Sequence, residues 1–198
     1  MKKKYRKLPR NTDYSAYRHP RWWPTWLGIF LMWCVSRLPI RAQWWLGKLA
    51  GLLAFRLARS RRHIAEVNIR LCFPELTSAQ QSALVRKAFI ANGIGLLELG
   101  IAWFRNPAKL TGITRVHGLE HFEDALAGGK GVLLLGGHYS TLDLGGSLVT
   151  EFIEADVMQR DHNNPLINAV MTRARERRYG TVLGARDLRG LFRSLKKN

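Results

Sequence analysis

Two side chains able to move a proton, His138 and Asp143, stand five residues apart in "LLLGGHYSTLDLGG", residues 133–146. A neutral imidazole can take a proton from an alcohol, and it does so best beside a carboxylate that fixes its tautomer and stabilises its charged form. Gly136 and Gly137, just upstream, let backbone N–H groups approach a developing oxyanion. The same letters also spell a helix start. Ser140 followed three residues later by Asp143 has the form of a capping box, in which Asp143 only holds the first turn. Residue types alone leave both readings open.

Other chemistry-bearing stretches are weaker. "GGKG" at 128–131 lacks the Ser/Thr after Lys130 and the spacing of a phosphate-binding loop, so it reads as a turn. His117 and His121 in "HGLEH" are four apart, as helical metal ligands would be, but no further His/Cys cluster completes a ligand set. Cys34 and Cys72 sit in dissimilar contexts; they suggest no disulfide framework and fit a reducing, cytosol-facing chain.

The proton-moving pair needs a scaffold. From Thr114 the texture predicts strand, turn, helix, glycine turn, strand, glycine turn, helix, with Gly131–Leu135 as an apolar strand covered on both faces and His138 just past its end. Such alternation implies an α/β sheet with ligands at the carboxyl ends of its strands. The first half predicts helices instead. "RAQWWLGKLAGLLAFRLARSRR" spaces Trp45, Leu49, Leu52, Leu53 and Leu57 helically, with Arg41, Lys48, Arg56 and Arg59 on another face or at the ends. It suits an anionic membrane surface or a globular helix with a solvated basic face. Pro74 then breaks the pattern, and Thr77 or Ser78 can cap a helix running toward Phe104.

The 198 residues carry 32 Lys+Arg against 14 Asp+Glu, a formal charge of +18, with 46% hydrophobic residues. That apolar fraction excludes a disordered chain, and the charge calls for a polyanionic partner. Residues 1–21 hold eight basic residues and one acid, Asp13, and lead directly into "WWPTWLGIFLMWCVS" (22–36), which has no charge and four tryptophans. Tryptophans at the basic edge of an apolar run mark a membrane interface on its cytoplasmic side. The run falls short of the ~20 residues of a full span, so a snorkelling span and an interfacial helix both fit; a buried Trp-rich core helix is the alternative. The chain divides into a basic N-terminus and uncleaved anchor, 1–40, and a catalytic domain, 41–198.

Four blocks in order, "RRHIAEVNIRLCFPEL", "HGLEHFEDALAGGKGVLLLGGH", "RDHNNPLINAVMTRARERRYG" and "ARDLRGLFRSLKK", resemble the late acyltransferases of lipid A biosynthesis, the lauroyl/myristoyl transferases. These are one branch of the glycerolipid acyltransferases with an H-x4-D/E motif, which "GGHYSTLD" matches. The resemblance implies a glycerolipid-acyltransferase-like α/β fold: a mixed sheet flanked by helices, preceded by a membrane helix and a helical first half. It implies transfer of a fatty acyl chain from acyl carrier protein to a hydroxyl of a lipid A precursor, in lipopolysaccharide biosynthesis at the cytoplasmic face of the inner membrane. His138 would be the general base and Asp143 its orienting partner. Arg175 corresponds to an arginine important in the family, with Arg160 and Asn164 in the same block. The carrier thioester is the donor, and no metal or redox cofactor is required. The partners implied are acyl carrier protein, the lipid A precursor and anionic inner-membrane lipids. Guanidinium groups suit lipid phosphates and the phosphate of a carrier's pantetheine arm. Arg173, Arg175, Arg177 and Arg178 cannot all face one site, which leaves Arg175 functional and the others on the surface.

Two rivals share these features: an H-x4-D acyltransferase acting on a glycerol-phosphate or mannoside lipid, and a membrane-tethered polyanion-binding protein. Against nucleic acid, the charge is spread from Lys2 to Lys197 without a nucleic-acid motif. Family members continue for roughly another hundred residues, a length suited to completing such a sheet. The expectation is therefore a copy without the C-terminal third, with an unpaired sheet edge and weak or no activity alone.

Overall fold

Proline punctuates the helical half. The computed structural model describes residues 14–196. In it α1 (Trp23–Ser36) ends before Pro39, α2 (Ile40–Leu57) follows, and α3 (Arg59–Cys72) stops before Pro74, where a pre-proline residue is driven out of helical geometry. Thr77 restarts the chain. Its hydroxyl accepts the Gln80 N–H while the Gln80 side chain accepts the Thr77 N–H, a reciprocal cap that launches the 27-residue helix α4 (Ser78–Phe104). The helical first half is as expected. The basic residues from Lys2 to Arg10, with Asp13 and Lys197, lie outside the described residues.

Helix α4 is the axis of the molecule. At its middle, Gly93 lies against Gly47 and Gly51 of α2, so that a Cβ at Gly93 would overlap the Gly47 carbonyl oxygen and the Gly51 backbone. Backbone-to-backbone crossing of this kind requires residues without side chains. Beside it Trp44 Nε1 donates to Oε1 of the buried Glu98 at 3.0 Å. Farther along, Ile101, Ala102 and Trp103 join Ile29 of α1 in one apolar cluster with Leu166, Val170, Met171 and Ala174. Among the described residues α4 alone is long and apolar enough to cross a membrane, yet its last turns, around Ile101, Ala102 and Trp103, are core.

The second half departs from expectation. After a 3-10 turn at Pro107–Ile113, helices α5 (Leu119–Ala127) and α6 (Leu142–Val149) form as predicted. The strands predicted around α5, from Thr114 and at Gly131–Leu135, do not form. Residues 131–135 are irregular backbone, Leu133 and Leu134 are exposed and Leu135 is 96% exposed. An apolar run names a buried strand only if another strand pairs with it, and none does among the described residues. Nor is the sheet mixed there. It consists of β1 (Val157–Gln159) and β2 (Val182–Gly184), parallel, with Val157 opposite Val182 and Gln159 opposite Gly184. The helix between them, α7 (Pro165–Glu176), supplies the crossover that parallel strands need. The last helix, α8 (Leu188–Leu195), is tied back by Asp156, which accepts from the Thr181 N–H at 2.6 Å and from the Ser194 hydroxyl at 2.5 Å.

The glycine crossing yields a stability test. Gly93→Ala must push α2 and α4 apart, and overpacking of this kind costs about 1–3 kcal/mol. Urea denaturation followed by circular dichroism should show a loss in that range, whereas Gly28→Ala, inside α1 and with nothing for its Cβ to meet, should leave stability unchanged or raise it by up to about 1 kcal/mol.

Candidate active site

The carboxylate of the sequence motif finds its partner 32 residues downstream. Asp143 lies in the first turn of α6 and Arg175 in the last turn of α7. Arg175 donates from Nε at 3.0 Å and from Nη2 at 2.6 Å, both to Asp143 Oδ1. The side chains are only 18% and 25% exposed, so the charges attract with less screening than a surface pair would feel. Asp143 Oδ2 accepts no hydrogen bond among the described residues. The third guanidinium nitrogen, Nη1, donates to Gln159 Oε1 at 3.0 Å, and Gln159 Nε2 donates to the Thr172 hydroxyl at 2.6 Å. Arg175 is thus fixed at both edges, by α6 and by β1.

This arrangement decides against the cap reading of Asp143. The N-cap of α6 is Thr141, it makes no side-chain capping bond, and the Asp143 carboxylate faces the guanidinium instead.

Tyr179 completes the cluster. Its hydroxyl fills the place a Cβ would take at Gly146, one turn after Asp143 on α6. Burial pushes its phenol pKa up, and the nearby Asp143 charge pushes it further, against the opposing pull of Arg175 and Arg178.

His138 sits in the irregular segment before α6, exposed, and makes no hydrogen bond to Asp143 or any other described residue. The structure therefore brings Asp143 to Arg175, and leaves His138 exposed on the loop one residue before the 139–144 stretch that lines the cavity mouth. What anchors that mouth is α4: a Cβ at Gly95 would come within 2.8 Å of Ser140 Cβ, so α4 and the loop touch directly. Beside Asp143 a cavity of about 340 Å³ opens between them, walled by Leu96 and Leu99 on one side and residues 139–144 on the other. That volume lies within the usual range for ligand pockets, about 300–1,000 Å³. Gly136 and Gly137 precede it, both exposed.

The other motif residues have different places. Asn164 caps α7, accepting from the Leu166 and Ile167 N–H groups, and its Nδ2 donates to the Thr25 hydroxyl of α1 at 3.1 Å. Arg160 is exposed at the end of β1, apart from the cluster. Arg178, expected on the surface, is buried and donates from Nη2 to the Arg105 carbonyl at 2.6 Å, tying the end of α7 to the end of α4. Gln159, Thr172 and Tyr179 were not foreseen. Only Thr172, one turn before Arg175 on α7, had a spacing that could have drawn notice.

A carboxylate–arginine pair whose carboxylate borders a cavity of mixed polar and apolar lining is compatible with several kinds of transfer chemistry, and comparison with known proteins decides the lineage. The model of the bacterial lipid A biosynthesis acyltransferase family matches residues 12–198. The chain belongs to this family. It is similar to the lipid A biosynthesis lauroyltransferase of Escherichia coli (strain K12), 38% identical over 183 residues that make up 92% of this chain and 60% of the relative. The palmitoleoyltransferase of the same strain is 33% identical, covering 91% of this chain and 59% of the relative. The myristoyltransferase is 31% identical, covering 87% and 54%. The chain thus spans well under two thirds of the length of these acyltransferase relatives. No solved structure matches it.

Within this acyltransferase-family site, the Tyr179 environment predicts an alkaline weakness. A phenol with a raised folded-state pKa contributes stability that is complete below the ordinary value, about 10, and lost as pH rises through the folded value. Urea denaturation from pH 8 to 11 should show the wild type losing stability above pH ~10 faster than Tyr179→Phe. Parallel curves would refute a buried, Asp143-facing phenol.

Proposed function

We propose that this chain transfers a fatty acyl group from the thioester of acyl carrier protein to a hydroxyl on an acyl chain of a lipid A precursor, at the cytoplasmic face of the inner membrane. The observation that carries the proposal is the Asp143–Arg175 pair, with Asp143 lining a cavity that Leu96 and Leu99 also border, in a chain of the lipid A acyltransferase family. His138 withdraws the hydroxyl proton as that oxygen attacks the thioester carbonyl. The new ester C–O bond forms, the C–S bond breaks, and the proton passes from His138 to the departing thiolate. Asp143 offers its unengaged Oδ2 to the imidazole and stabilises the imidazolium, while Arg175 fixes the carboxylate through Oδ1. Turning the exposed His138 toward Oδ2 requires only a rearrangement of the loop before α6, a change of the kind by which apo sites tighten around substrate. Backbone N–H groups at Gly136 and Gly137 face the developing oxyanion, and Arg160 meets a phosphate of the lipid or of the carrier's prosthetic arm. Leu96 and Leu99 supply an apolar wall for an acyl chain.

Mass spectrometry of lipid A tests this reading in cells that lack their own late acyltransferase and carry this chain. The expected result is lipid A heavier by one acyl group. His138→Ala should abolish the gain, and Asp143→Asn should lower the transfer rate by about 10²–10⁴-fold. Unchanged lipid A with the wild-type chain, expressed and folded, would overturn the proposal for these 198 residues.

A further inference from the structure

Helix α1 presents two unlike faces. Thr25, Ile29, Met32 and Ser36 point inward: Ile29 and Ser36 are buried, Met32 packs on Gly100, and Thr25 holds Asn164. On the opposite side Trp23, Leu27, Phe30 and Leu31, at helical spacing, are each at least 54% exposed and carry no charge. An exposed apolar face of this kind marks an interaction surface. The two ends of the helix share one feature: the Arg21 guanidinium lies 4.9 Å over the Trp22 ring, and that of Arg37 lies 4.9 Å over Trp33. Arg–Trp pairs with apolar body and charged tip belong at the headgroup level of a bilayer.

Placing both ends at headgroup level fixes the orientation. Fourteen residues rise about 21 Å, well short of the ~30 Å hydrocarbon core, and the inner face is already committed to protein. We propose that α1 lies in the plane of the membrane, with Trp23, Leu27, Phe30 and Leu31 entering one leaflet of an anionic bilayer and Arg21 and Arg37 at the phosphates of that same leaflet. The excess of 32 basic over 14 acidic residues favours an anionic lipid surface over a second copy of an equally basic chain. The inference deepens the membrane reading above and is independent of acyl transfer.

Two measurements test it on the full chain. With vesicles of phosphatidylethanolamine and phosphatidylglycerol, Leu27→Glu with Phe30→Glu should weaken binding at least tenfold while leaving circular dichroism unchanged, since both side chains face outward. Binding equal to wild type would overturn the proposal. So would a wild-type chain that ignores such vesicles but dimerises in solution through Leu27, which would assign the face to a second copy. In a Cys34→Ser, Cys72→Ser background, His19→Cys and Leu38→Cys should both react with an impermeant maleimide from the same side of sealed inner-membrane vesicles. Reaction from opposite sides would establish a span and defeat the in-plane orientation while leaving membrane association, and the acyl-transfer reading, intact.

Discussion

Asp143 and Arg175 come from two helices that share the support of α4, and their ion pair is the polar bond that joins them. Helix α6 rests on α4 and on the turn at Pro107–Ile113, whereas α7 rests on α4, α1 and β2; the two meet at Asp143 and Arg175. Two charge-assisted N–H donations converge on one oxygen, and removing either partner would leave the other charge partly buried without compensation, which is costly. The pair also distinguishes the two carboxylate oxygens. Oδ1 is engaged by the arginine, and Oδ2 accepts no hydrogen bond among the described residues. Gln159 and Thr172 hold the far edge of the guanidinium, so the orientation of Asp143 depends on β1 as well as on α7.

The helical half exists, in this light, to hold one helix still. The glycine crossing brings α2 close enough to α4 to fix its middle, the capping box fixes its start, and the apolar cluster fixes its end. A long helix secured at three points can support loops that lack regular structure. Gly95 contacts Ser140, Trp103 and its neighbours pack on α7, and Arg178 binds the carbonyl just past the end of α4. The loop carrying His138 thus meets α4 directly at Ser140, while His138 itself is exposed.

How much of this was legible in the sequence follows from the range of each interaction. Capping at Thr77, the stop before Pro74 and the helix after Gly118 are local and were read correctly, because the deciding bonds lie within a few residues. The failure at Gly131–Leu135 has the opposite cause: pairing is non-local, and three successive leucines look the same whether or not a partner strand exists. The strands that do form have three residues each, too few to show a period. At the site, His138, Asp143 and Arg175 could be named from motif and resemblance, yet the bond between Asp143 and Arg175, which stands against the capping box, is a tertiary fact. Tyr179 and Gln159 were invisible for the same reason, since nothing in "RRYG" or "VMQR" marks a residue that will face a carboxylate or an arginine from another element.

The uncharged stretch from Trp22 to Ser36 shows where hydropathy itself runs out. Its composition supports an anchor, an interfacial helix and a core helix equally, because all three are built from Trp, Leu, Ile and Phe. The folded arrangement shows that the choice was falsely posed. One face of α1 is core, through Ile29 and Ser36, and the other remains apolar and exposed. A helix that is apolar on both its buried and its exposed face has no polar side, so it leaves no 3.6-residue alternation of apolar and polar letters to read. The inward face also makes a polar contact: Asn164, through Thr25, joins α1 to the very start of α7, the helix whose last turn carries Arg175. The residue that caps the arginine-bearing helix therefore also bonds to α1, so the exposed apolar face of α1 and the Asp143–Arg175 pair are connected through α7.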